Sequence, residues 1–354
     1  MKGIILHGGH GTRLRPLTHT GPKQLLPIAN KPMSQYCIES MIASGVTEIA
    51  FIIGGIGANK VKEYYGEGDK FGVKFSYIEQ DQPKGIAHAI SLCKDFVNNE
   101  KFLVFLGDNI LMDSITDYVE KFKISDADAS IVLCEVENPS RFGIAVIENG
   151  EIKKIIEKPK NPSTNLAVIG VYLLTPKIFD IIDRLKPSWR NELEITDALQ
   201  MLLEEKNKII YNKVSENWKD TGTPEDIIQA NDIILSGCQP YFLGEKDEDI
   251  EINGKIMVGK NSKIKKGAKL IGPVIIGENC LIESGIIGPN TSIGNNSRIA
   301  KCTISNSIIM EDCEIELKSS IENSIISKNS KILQKENFDT SNVFLLGEGT
   351  KIYL

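Results

Sequence analysis

The chain has 354 residues, 41% of them hydrophobic and 25% charged, with a formal net charge of -6. This length accommodates two ordinary domains, and the acidic balance argues against a general nucleic-acid binder, because such proteins carry an excess of lysine and arginine. No eighteen apolar residues run together and the N-terminus has no signal-peptide pattern, so the sequence predicts a soluble, cytoplasmic protein that spans no membrane.

Residues 1–235 alternate short apolar runs with amphipathic segments of helical length, which predicts an α/β domain with a largely parallel sheet. The predicted strands are 2–6, 48–53, 74–78, 101–106 and 129–134. The predicted helices are 32–44, 57–65, 85–97, 113–123, 176–184, 194–205 and 224–235. Gly54, Gly107 and Asp108 follow predicted strands, and open α/β sheets bind ligands at the carboxyl ends of their strands.

After residue 235 the pattern changes. The polar, helix-poor stretch 236–250 is predicted to be a linker. Beyond it, apolar residues recur every five or six positions: Val258, Ile264, Leu270, Ile276, Ile282, Ile287, Ile293, Ile299, Ile304, Ile309, Ile315, Ile321, Ile326 and Ile332. A hexad repeat is typical of a parallel β-helix, whose coils stack their apolar corners. We therefore expect such a solenoid over 251–354, with 346–352 as one further hexad in a returning segment.

Histidine and cysteine restrict the possible chemistry. No histidine follows His88, and the seven cysteines are scattered without a C-x-x-C pair for zinc or redox work, so we expect most of them to be small core residues. A metal site would be built from oxygen ligands, which suit magnesium or calcium better than zinc.

The first predicted strand leads into LHGGHGTRLRP (6–16). A glycine-rich turn after a strand can present backbone N–H groups to phosphate oxygens. The segment lacks GK[ST] and does not fit G-x-G-x-x-G, so neither an ordinary P-loop NTPase nor a dinucleotide oxidoreductase is supported. The glycines are followed by Thr12, Arg13 and Arg15, and then by Lys23 in PKQLLP. The positive charges of the two arginines and the lysine suit a triphosphate. A tight turn with solvated arginines is the structural alternative. A second glycine run, 54–60, is interpreted as a turn from strand to helix.

LHGGHGTRLRPLT followed by PKQLLPIANKPM resembles the signature of sugar-1-phosphate nucleotidylyltransferases. The similarity continues, in order, through EQDQPKGIAHAI (79–90), FLGDNI (105–110), IIEKPKNP (155–162), AVIGVYLLTP (167–176), RNELEITDAL (190–199) and NWKDTGTPEDIIQAN (217–231). The residues found in these motifs are most similar to those of the glucose-1-phosphate thymidylyltransferase branch. The hexad tail is similar to that of the long form of this branch. The resemblance implies a Rossmann-like catalytic domain over 1–235 with a mixed, mostly parallel sheet, and a left-handed β-helix of hexapeptide repeats after the linker.

The resemblance also implies an activity: a nucleotidyl group passes from dTTP to glucose 1-phosphate, and pyrophosphate is released, with Mg²⁺ as cofactor. The attacking phosphate is already ionised near neutral pH, so positioning and cationic clamps would supply the catalysis without a general base. UTP with glucose 1-phosphate and GTP with mannose 1-phosphate remain open. A bifunctional enzyme with acetyl transfer is disfavoured because the solenoid has no histidine. A non-catalytic scaffold subunit is disfavoured because the clamp residues are all present.

Site roles follow from the matched positions. The predicted catalytic residues are Arg13, Lys23, Lys158, Asp108 and Asp220. The predicted nucleotide-binding residues are Leu6, Gly8, Gly9, Gly11, Thr12, Gln80 and Gly85. The predicted sugar-phosphate residues are Gly143, Glu157, Lys158, Val168, Gly170, Arg190 and Trp218. The remaining implied partner is a second copy of the chain, bound through the β-helix, the catalytic domain or both.

The metal ligands, the base-contacting glutamine and one further residue carry specific expectations. Asp108 and Asp220 would share Mg²⁺, with a turn residue and an Asx turn ahead of a helix as their structural alternatives. Gln80 would read the thymine edge with its amide, which satisfies uracil equally. His7 stands where the family usually has a small residue, so it is a candidate contact of the nucleoside.

Overall fold

The computed structural model describes residues 1–9, 11–214, 217–334 and 349–352. The chain divides into two compact units. The first unit holds Met1–Gly11, Thr20–Leu25 and Met33–Asp220, and the second holds Thr12–His19, Leu26–Pro32 and Thr221–Leu354. No helix among the described residues is long and apolar enough to cross a membrane.

Strands and helices alternate in the part of the chain before residue 238. The strands are β1 Lys2–His7, β2 Pro27–Ile28, β3 Lys31–Pro32, β4 Glu48–Ile53, β5 Lys74–Glu79, β6 Phe102–Leu106, β7 Asn109–Leu111, β8 Ala129–Glu135, β9 Ile144–Glu148, β10 Glu151–Ile156, β11 Leu166–Leu174, β12 Ile209–Lys213 and β13 Trp218–Asp220. The α-helices are α1 Met33–Ala43, α2 Asn59–Tyr65, α3 Ile86–Ser91, α4 Lys94–Val97, α5 Thr116–Ile124, α6 Lys177–Ile182, α7 Ile195–Glu204 and α8 Pro224–Gly237.

The first unit is built on a mixed nine-stranded sheet in the order β10-β9-β11-β6-β1-β4-β5, with β8 and β12 joined through β11. The strands β6, β1, β4 and β5 run parallel, and β11 pairs antiparallel with β6 and β8. Side chains alternate between two buried cores: Ile4 and Leu6 face one, and Ile5 faces the other. The predicted Rossmann-like α/β domain with a mixed sheet is therefore confirmed.

The five predicted strands are all present, and six of the seven predicted helices are found to within three residues at either end. The predicted helix 85–97 is wrong, because two short helices, α3 and α4, replace it. The Ser91 hydroxyl donates to the His88 carbonyl at 2.8 Å, and the Cys93 N–H turns back to Ile90 at 2.9 Å. Local side-chain bonds of this kind compete with the helical ladder. The second glycine run joins β4 to α2, as expected for a strand-to-helix turn.

The second unit carries the repeats. Its later strands are β14 Tyr241–Phe242, β15 Glu245–Lys246, β16 Glu251–Asn253, β17 Ile256–Val258, β18 Lys263–Ile264, β19 Ala268–Ile271, β20 Val274–Ile276, β21 Leu281–Ile282, β22 Gly285–Ile287, β23 Thr291–Ile293, β24 Arg298–Ala300, β25 Cys302–Ser305, β26 Ile308–Ile309, β27 Glu314–Glu316, β28 Ser320–Glu322, β29 Ile325–Ile326 and β30 Lys331–Leu333. Every third strand pairs in parallel, which gives three sheets. The predicted left-handed parallel β-helix is confirmed.

The hexad residues form the solenoid core in three stacked columns. In one column, Ile276 pairs with Ile293, which in turn pairs with Ile309. The hexad positions from Val258 to Ile315 are completely buried, while Ile321 and the two hexads after it are only partly buried. The predicted final hexad, 346–352, lies outside the described residues at its first three positions. All seven cysteines are free thiols, and six of them are buried, as predicted.

The stretch predicted as a linker contains structure. Strands β14 and β15 lie inside it and pair in parallel with β17 and β18, so the first coil of the solenoid begins before residue 251. Phe242 and Ile250 of this coil pack on the solenoid core. They do not follow the isoleucine hexads, so the repeat did not predict the coil.

One polar junction ties three segments of the second unit together. Asn231 of α8 is fully buried, and its side-chain oxygen accepts from the Ala29 N–H at 2.9 Å and from the Ser292 hydroxyl at 2.6 Å. Asn30 donates to the carbonyl of Ile293 at 2.7 Å. The β2–β3 hairpin and α8 are thus hydrogen-bonded to the solenoid.

Candidate active site

Four parallel strands of the first unit end at one edge of the sheet. Gly8 follows β1, Gly54 follows β4, Gln80 follows β5, and Gly107 and Asp108 follow β6. Carboxyl ends of neighbouring parallel strands meet at the same edge, which is where open α/β sheets bind ligands. Two predicted nucleotide residues, Gly8 and Gln80, therefore lie at the same edge.

A buried glutamine side chain is hydrogen-bonded to the glycine turn after β1. Gly9 and Gly11 have φ angles of 104° and 56°, the left-handed region in which glycine is favoured. The Gln24 amide donates to the Gly8 carbonyl at 3.3 Å, and Gln24 is only 1% exposed. At the end of the strand, the Leu6 carbonyl accepts from the Gly107 N–H at 3.0 Å. Sequence reasoning missed Gln24, although it lies within PKQLLP, directly after Lys23.

A buried ion pair lies beside this turn. The Lys23 ammonium contacts the Asp108 carboxylate, and both side chains are largely buried. Burial alone would raise the pKa of Asp108, but the positive charge and hydrogen bond of Lys23, with a hydrogen bond from Asn109, hold that pKa below its ordinary value. Asp108 is therefore a carboxylate at neutral pH, in contact with a cation.

Asp220 is brought to the same place by a short strand pair. Strands β13 and β7 are antiparallel, with Asp220 opposite Asn109, the residue after Asp108. The Trp218 indole donates to the Asn109 side chain at 2.7 Å, and the Asn109 amide donates to Asp108 at 3.0 Å. Asn109 thus links the two segments, a role that sequence reasoning did not assign.

The Asx-turn alternative for Asp220 stays a prediction, and helix α8 has an N-terminal cap of its own. Helix α8 is capped by Thr223, whose hydroxyl accepts from the Asp226 N–H at 3.2 Å while the Asp226 carboxylate accepts from the Thr223 N–H at 3.1 Å. Asp220 lies in β13, outside this capping box.

A second cluster gathers the predicted sugar residues. The Glu157 carboxylate accepts from the Thr196 hydroxyl at 2.8 Å, and its other oxygen lies 3.3 Å from the Lys158 ammonium and 3.4 Å from Arg190. A Cβ on Gly143 would come within 2.4 Å of the Thr196 side chain and 3.2 Å of the Glu157 carboxylate. Gly143 therefore leaves room for Glu157, and Thr196 is a further residue that sequence reasoning missed.

The other predicted sugar residues have identifiable packing roles. Val168 donates its N–H to the Gly143 carbonyl at 2.8 Å. A Cβ on Gly170 would meet Leu106 at 2.6 Å, so glycine allows β11 to pack on β6. Trp218 packs edge-on against Phe142, which precedes Gly143, with ring centroids 5.4 Å apart. Their contact with a sugar remains a prediction.

Arg190 lies among carboxylates in this structure. Besides Glu157, its guanidinium pairs with Glu192 at 3.0 Å and with Glu194 at 3.2 Å. Burial, followed by the charge of Glu157, raises the pKa of Glu194. Arg190 thus organises three acidic side chains, and its predicted contact with a phosphate stays a prediction.

His7 is a buried side chain at the end of β1. It is 1% exposed, packs edge-on against Phe51 with centroids 5.3 Å apart, and neither ring nitrogen has a hydrogen-bond partner. Burial lowers its pKa to about 3, against a smaller opposing effect of Asp108, so the ring is neutral. The predicted contact of His7 with a nucleoside remains a prediction.

Thr12 and Arg13 belong to the second unit, where they begin a short 3-10 turn over Thr12–Leu14 with exposed side chains. Their predicted roles at the triphosphate remain predictions.

The fold, with its glycine turn and ammonium–carboxylate pair at the carboxyl edge, is that of a Rossmann-like nucleotidyltransferase. The profile described as "Nucleotidyl transferase" matches residues 2–237, and the profile described as "GMPPB C-terminal domain" matches residues 283–353.

Individual proteins show the same similarity. The "Low-salt glycan biosynthesis nucleotidyltransferase Agl11" of Haloferax volcanii is 43% identical over 100% of both chains. A glucose-1-phosphate thymidylyltransferase of Streptomyces antibioticus is 37% identical over 99% of both chains. A crystal structure of UDP-glucose pyrophosphorylase complexed with UDP-glucose is 32% identical, with a TM-score of 0.60, over 67% of this chain and 99% of the other. The chain belongs to the nucleotidyl transferase family and is an enzyme of that family.

Proposed function

We propose that this nucleotidyltransferase forms dTDP-glucose from dTTP and glucose 1-phosphate. In the reaction, an oxygen of the sugar phosphate attacks the α-phosphorus of dTTP. A new P–O bond forms there as the bond between the α-phosphorus and the pyrophosphate oxygen breaks, and pyrophosphate leaves with the electron pair. No proton needs to be removed, because the attacking phosphate is already an anion near neutral pH.

The main barrier to this reaction is the repulsion between two anionic substrates, so the chain's own cations carry the catalysis. Lys23 neutralises charge on the triphosphate, and Arg13 is assigned the same task from the sequence. Lys158 holds the sugar phosphate while the adjacent Glu157 accepts hydrogen bonds from sugar hydroxyls. Gln80 contacts the base, and the N–H groups of the glycine turn at Gly8 and Gly9 contact phosphate oxygens.

The observation that carries this proposal is the pairing of β13 with β7, which sets Asp220 opposite the neighbour of Asp108, with Lys23 bound to Asp108. The donor set fits Mg²⁺: two carboxylates, one at the end of β13 and one directly before β7, the strand that pairs with β13. No group of three or more His, Cys, Asp or Glu side chains that could hold a metal occurs in the described parts of the chain. A two-carboxylate site suits an ion that takes its other ligands from water and substrate phosphates. When bound, Mg²⁺ would neutralise phosphate charge.

The similarity to the Streptomyces enzyme supports the choice of dTTP and glucose 1-phosphate. The relative that binds UDP-glucose supports UTP as the second candidate, because the Gln80 amide can pair with uracil as well as with thymine. These two nucleotides differ in the 5-methyl group of the base and in the 2′-hydroxyl of the ribose.

The test is turnover of the purified full-length chain with glucose 1-phosphate and each of dTTP, UTP, GTP, ATP and CTP, with mannose 1-phosphate and GTP as a further pair. Each mixture is measured with Mg²⁺ and with excess chelator, by pyrophosphate release and chromatography of the nucleotide sugar. We expect the highest kcat/KM with dTTP and no product with chelator. A higher kcat/KM with UTP, or with GTP and mannose 1-phosphate, would replace the substrate assignment. No product from any pair would contradict the proposed substrates.

Self-association through the β-helix, the catalytic domain or both, and a cytoplasmic location, remain predictions. Light scattering of the full-length chain measures the first, and fractionation of the native host measures the second.

A further inference from the structure

We propose that His88 is a positioning residue that fixes the orientation of the Gln80 side-chain amide, and thereby makes the site select uracil-type bases over cytosine. The inference rests on the proposed function to the extent that Gln80 contacts the base. His88 itself is not assigned to touch either substrate. It acts through Gln80.

The backbone of Gln80 is fixed at the sheet edge. Its N–H donates to the Ile53 carbonyl at 2.8 Å, in line with the β4–β5 pairing. A Cβ on Gly54 would come within 2.5 Å of the Gln80 carbonyl oxygen, so only glycine permits this close approach. Gln80 is 7% exposed. With backbone and burial fixed, the principal freedom left to its end group is a half-turn that exchanges the amide oxygen and nitrogen.

His88 makes contact with one end of that amide. The Gln80 Nε2 group donates to His88 Nδ1 at 2.9 Å. An amide nitrogen only donates, so this bond requires an unprotonated Nδ1. His88 lies half-buried on α3, and burial, with the charge of Lys84, lowers its pKa against a smaller effect of Asp81. The neutral ring that the bond requires is therefore favoured.

Gly8 leaves room for the other end of the amide. The position that a Cβ on Gly8 would take is 2.8 Å from the Gln80 Oε1 atom, so a larger residue would displace this oxygen. With His88 Nδ1 unprotonated, the reversed amide would set two acceptors, Oε1 and Nδ1, against each other. The contact with His88 therefore selects one orientation.

That orientation has a consequence for base choice. The fixed amide offers one oxygen lone pair and one remaining N–H side by side. Uracil and thymine present N3–H and O4, which match this pair. Cytosine presents N3 as an acceptor and an amino group as a donor, so at the same position it requires the reversed amide. His88 therefore contributes to discrimination within the pyrimidines, which Gln80 alone does not provide.

The experiment compares His88→Leu, which removes the acceptor at similar size, with His88→Gln, whose side-chain oxygen can still accept from Gln80. The full-length variants and the parent are assayed with Mg²⁺ for KM and kcat with dTTP, UTP and CTP, and for the KM of glucose 1-phosphate. Loss of one hydrogen bond predicts about a tenfold higher KM for dTTP and UTP in His88→Leu. The preference for dTTP over CTP should fall by about the same factor. We expect kcat and the glucose 1-phosphate KM to stay within about twofold, and His88→Gln to recover most of the loss.

Either of two results overturns the inference. One is an unchanged preference for dTTP over CTP in His88→Leu. The other is an equal rise in KM for dTTP, CTP and glucose 1-phosphate with a lower melting temperature, which is the mark of a merely structural role. Calorimetric titration of parent and variants with Mg²⁺ and dTTP or CTP alone separates this inference from the proposed function. If the parent binds dTTP but does not use glucose 1-phosphate, the proposed acceptor is wrong, and the binding comparison still decides the role of His88. If the parent binds no pyrimidine triphosphate, both proposals fail.

Discussion

The solenoid core and the carboxyl edge of the sheet are held together in opposite ways. In the solenoid, Ile293 has an equivalent residue above it and another below, and the same pairing repeats from coil to coil. At the sheet edge, Lys23, Asp108 and Asp220 come from three distant parts of the chain, and none has an equivalent. Repetition distributes stability over many similar contacts, whereas the candidate site depends on single side chains. A substitution in one region should therefore change a different measurement from a substitution in the other.

The sharpest contrast comes from one chemical change made in both regions. Asp108→Asn leaves Lys23 without its counter-charge and removes a predicted metal ligand, so we expect kcat to fall by about a hundred- to a thousandfold, by analogy with the loss of one transition-state donor. Asp312→Asn in the solenoid keeps the oxygen that accepts from Asn296 at 3.0 Å and should leave kcat unchanged. Steady-state assays of both variants test the comparison. Equal kcat values for Asp108→Asn and the parent would contradict the assigned role.

The converse change tests the solenoid. Ile293→Ala removes a fully buried side chain from the middle of a column and should lower the free energy of unfolding of the solenoid by about 2–5 kcal/mol. Ile326→Ala, nearer the end of the column and only partly buried, should cost less. Denaturant unfolding measures both, and kcat at 25 °C should match the parent. A larger loss for Ile326→Ala would show that burial does not set the cost along the column.

A change of pH separates the two regions, because His7 is buried at the end of β1 and the solenoid contains no histidine. Its pKa is lowered from 6.5 to about 3 in the folded chain, so the unfolded chain takes up a proton that the folded chain excludes. The parent should therefore lose stability as pH falls below 6.5, by about 1.4 kcal/mol between pH 7.5 and 5.5. His7→Leu should lack this loss, and thermal unfolding of both at several pH values measures it. Parallel pH profiles for the two proteins would contradict the burial of a neutral ring.

The smallest expected effect lies on the solenoid surface. Asn279 has a φ of 56°, accepts from Asn261 at 3.1 Å and donates to Asn296 at 3.2 Å. Asn279→Ala loses both bonds and strains the backbone, which should cost about 1 kcal/mol, while Asn279→Gly keeps the backbone relaxed and should cost a few tenths. Chemical denaturation distinguishes them. A loss in Asn279→Gly as large as in Asn279→Ala would assign the cost to the hydrogen bonds rather than to the backbone.

The two regions also differed in how far they could be predicted. The hexads predicted the solenoid correctly because each corner residue is fixed by a short-range period. In the first unit, β11 was not predicted, because its nine residues are almost all apolar, and at that length no period separates a buried strand from a buried helical segment. Strands β7 and β13 have three residues each, too few to carry a period.

For the candidate site, sequence reasoning identified residues that carry charge or lie in motifs. It missed Gln24, Asn109, Thr196 and His88, which act on other side chains or on the backbone. Asn109 has meaning only because Trp218, more than a hundred residues later, donates to it. Such partners are set by tertiary packing, so a local pattern in a single sequence contains no signal for them.

The hydrogen bonds of Asn231 restrict how the solenoid could be exchanged for that of a relative. The polypeptide passes between the two units five times, after residues 11, 19, 25, 32 and 220, so one splice at residue 238 does not separate them. A chimaera cut there would keep Asn231 and Asn30. It would place an unrelated coil where the Ser292 hydroxyl now donates to Asn231 and the Ile293 carbonyl accepts from Asn30. A chimaera that keeps these hydrogen bonds must take the β2–β3 hairpin, α8 and the solenoid coil together from one protein.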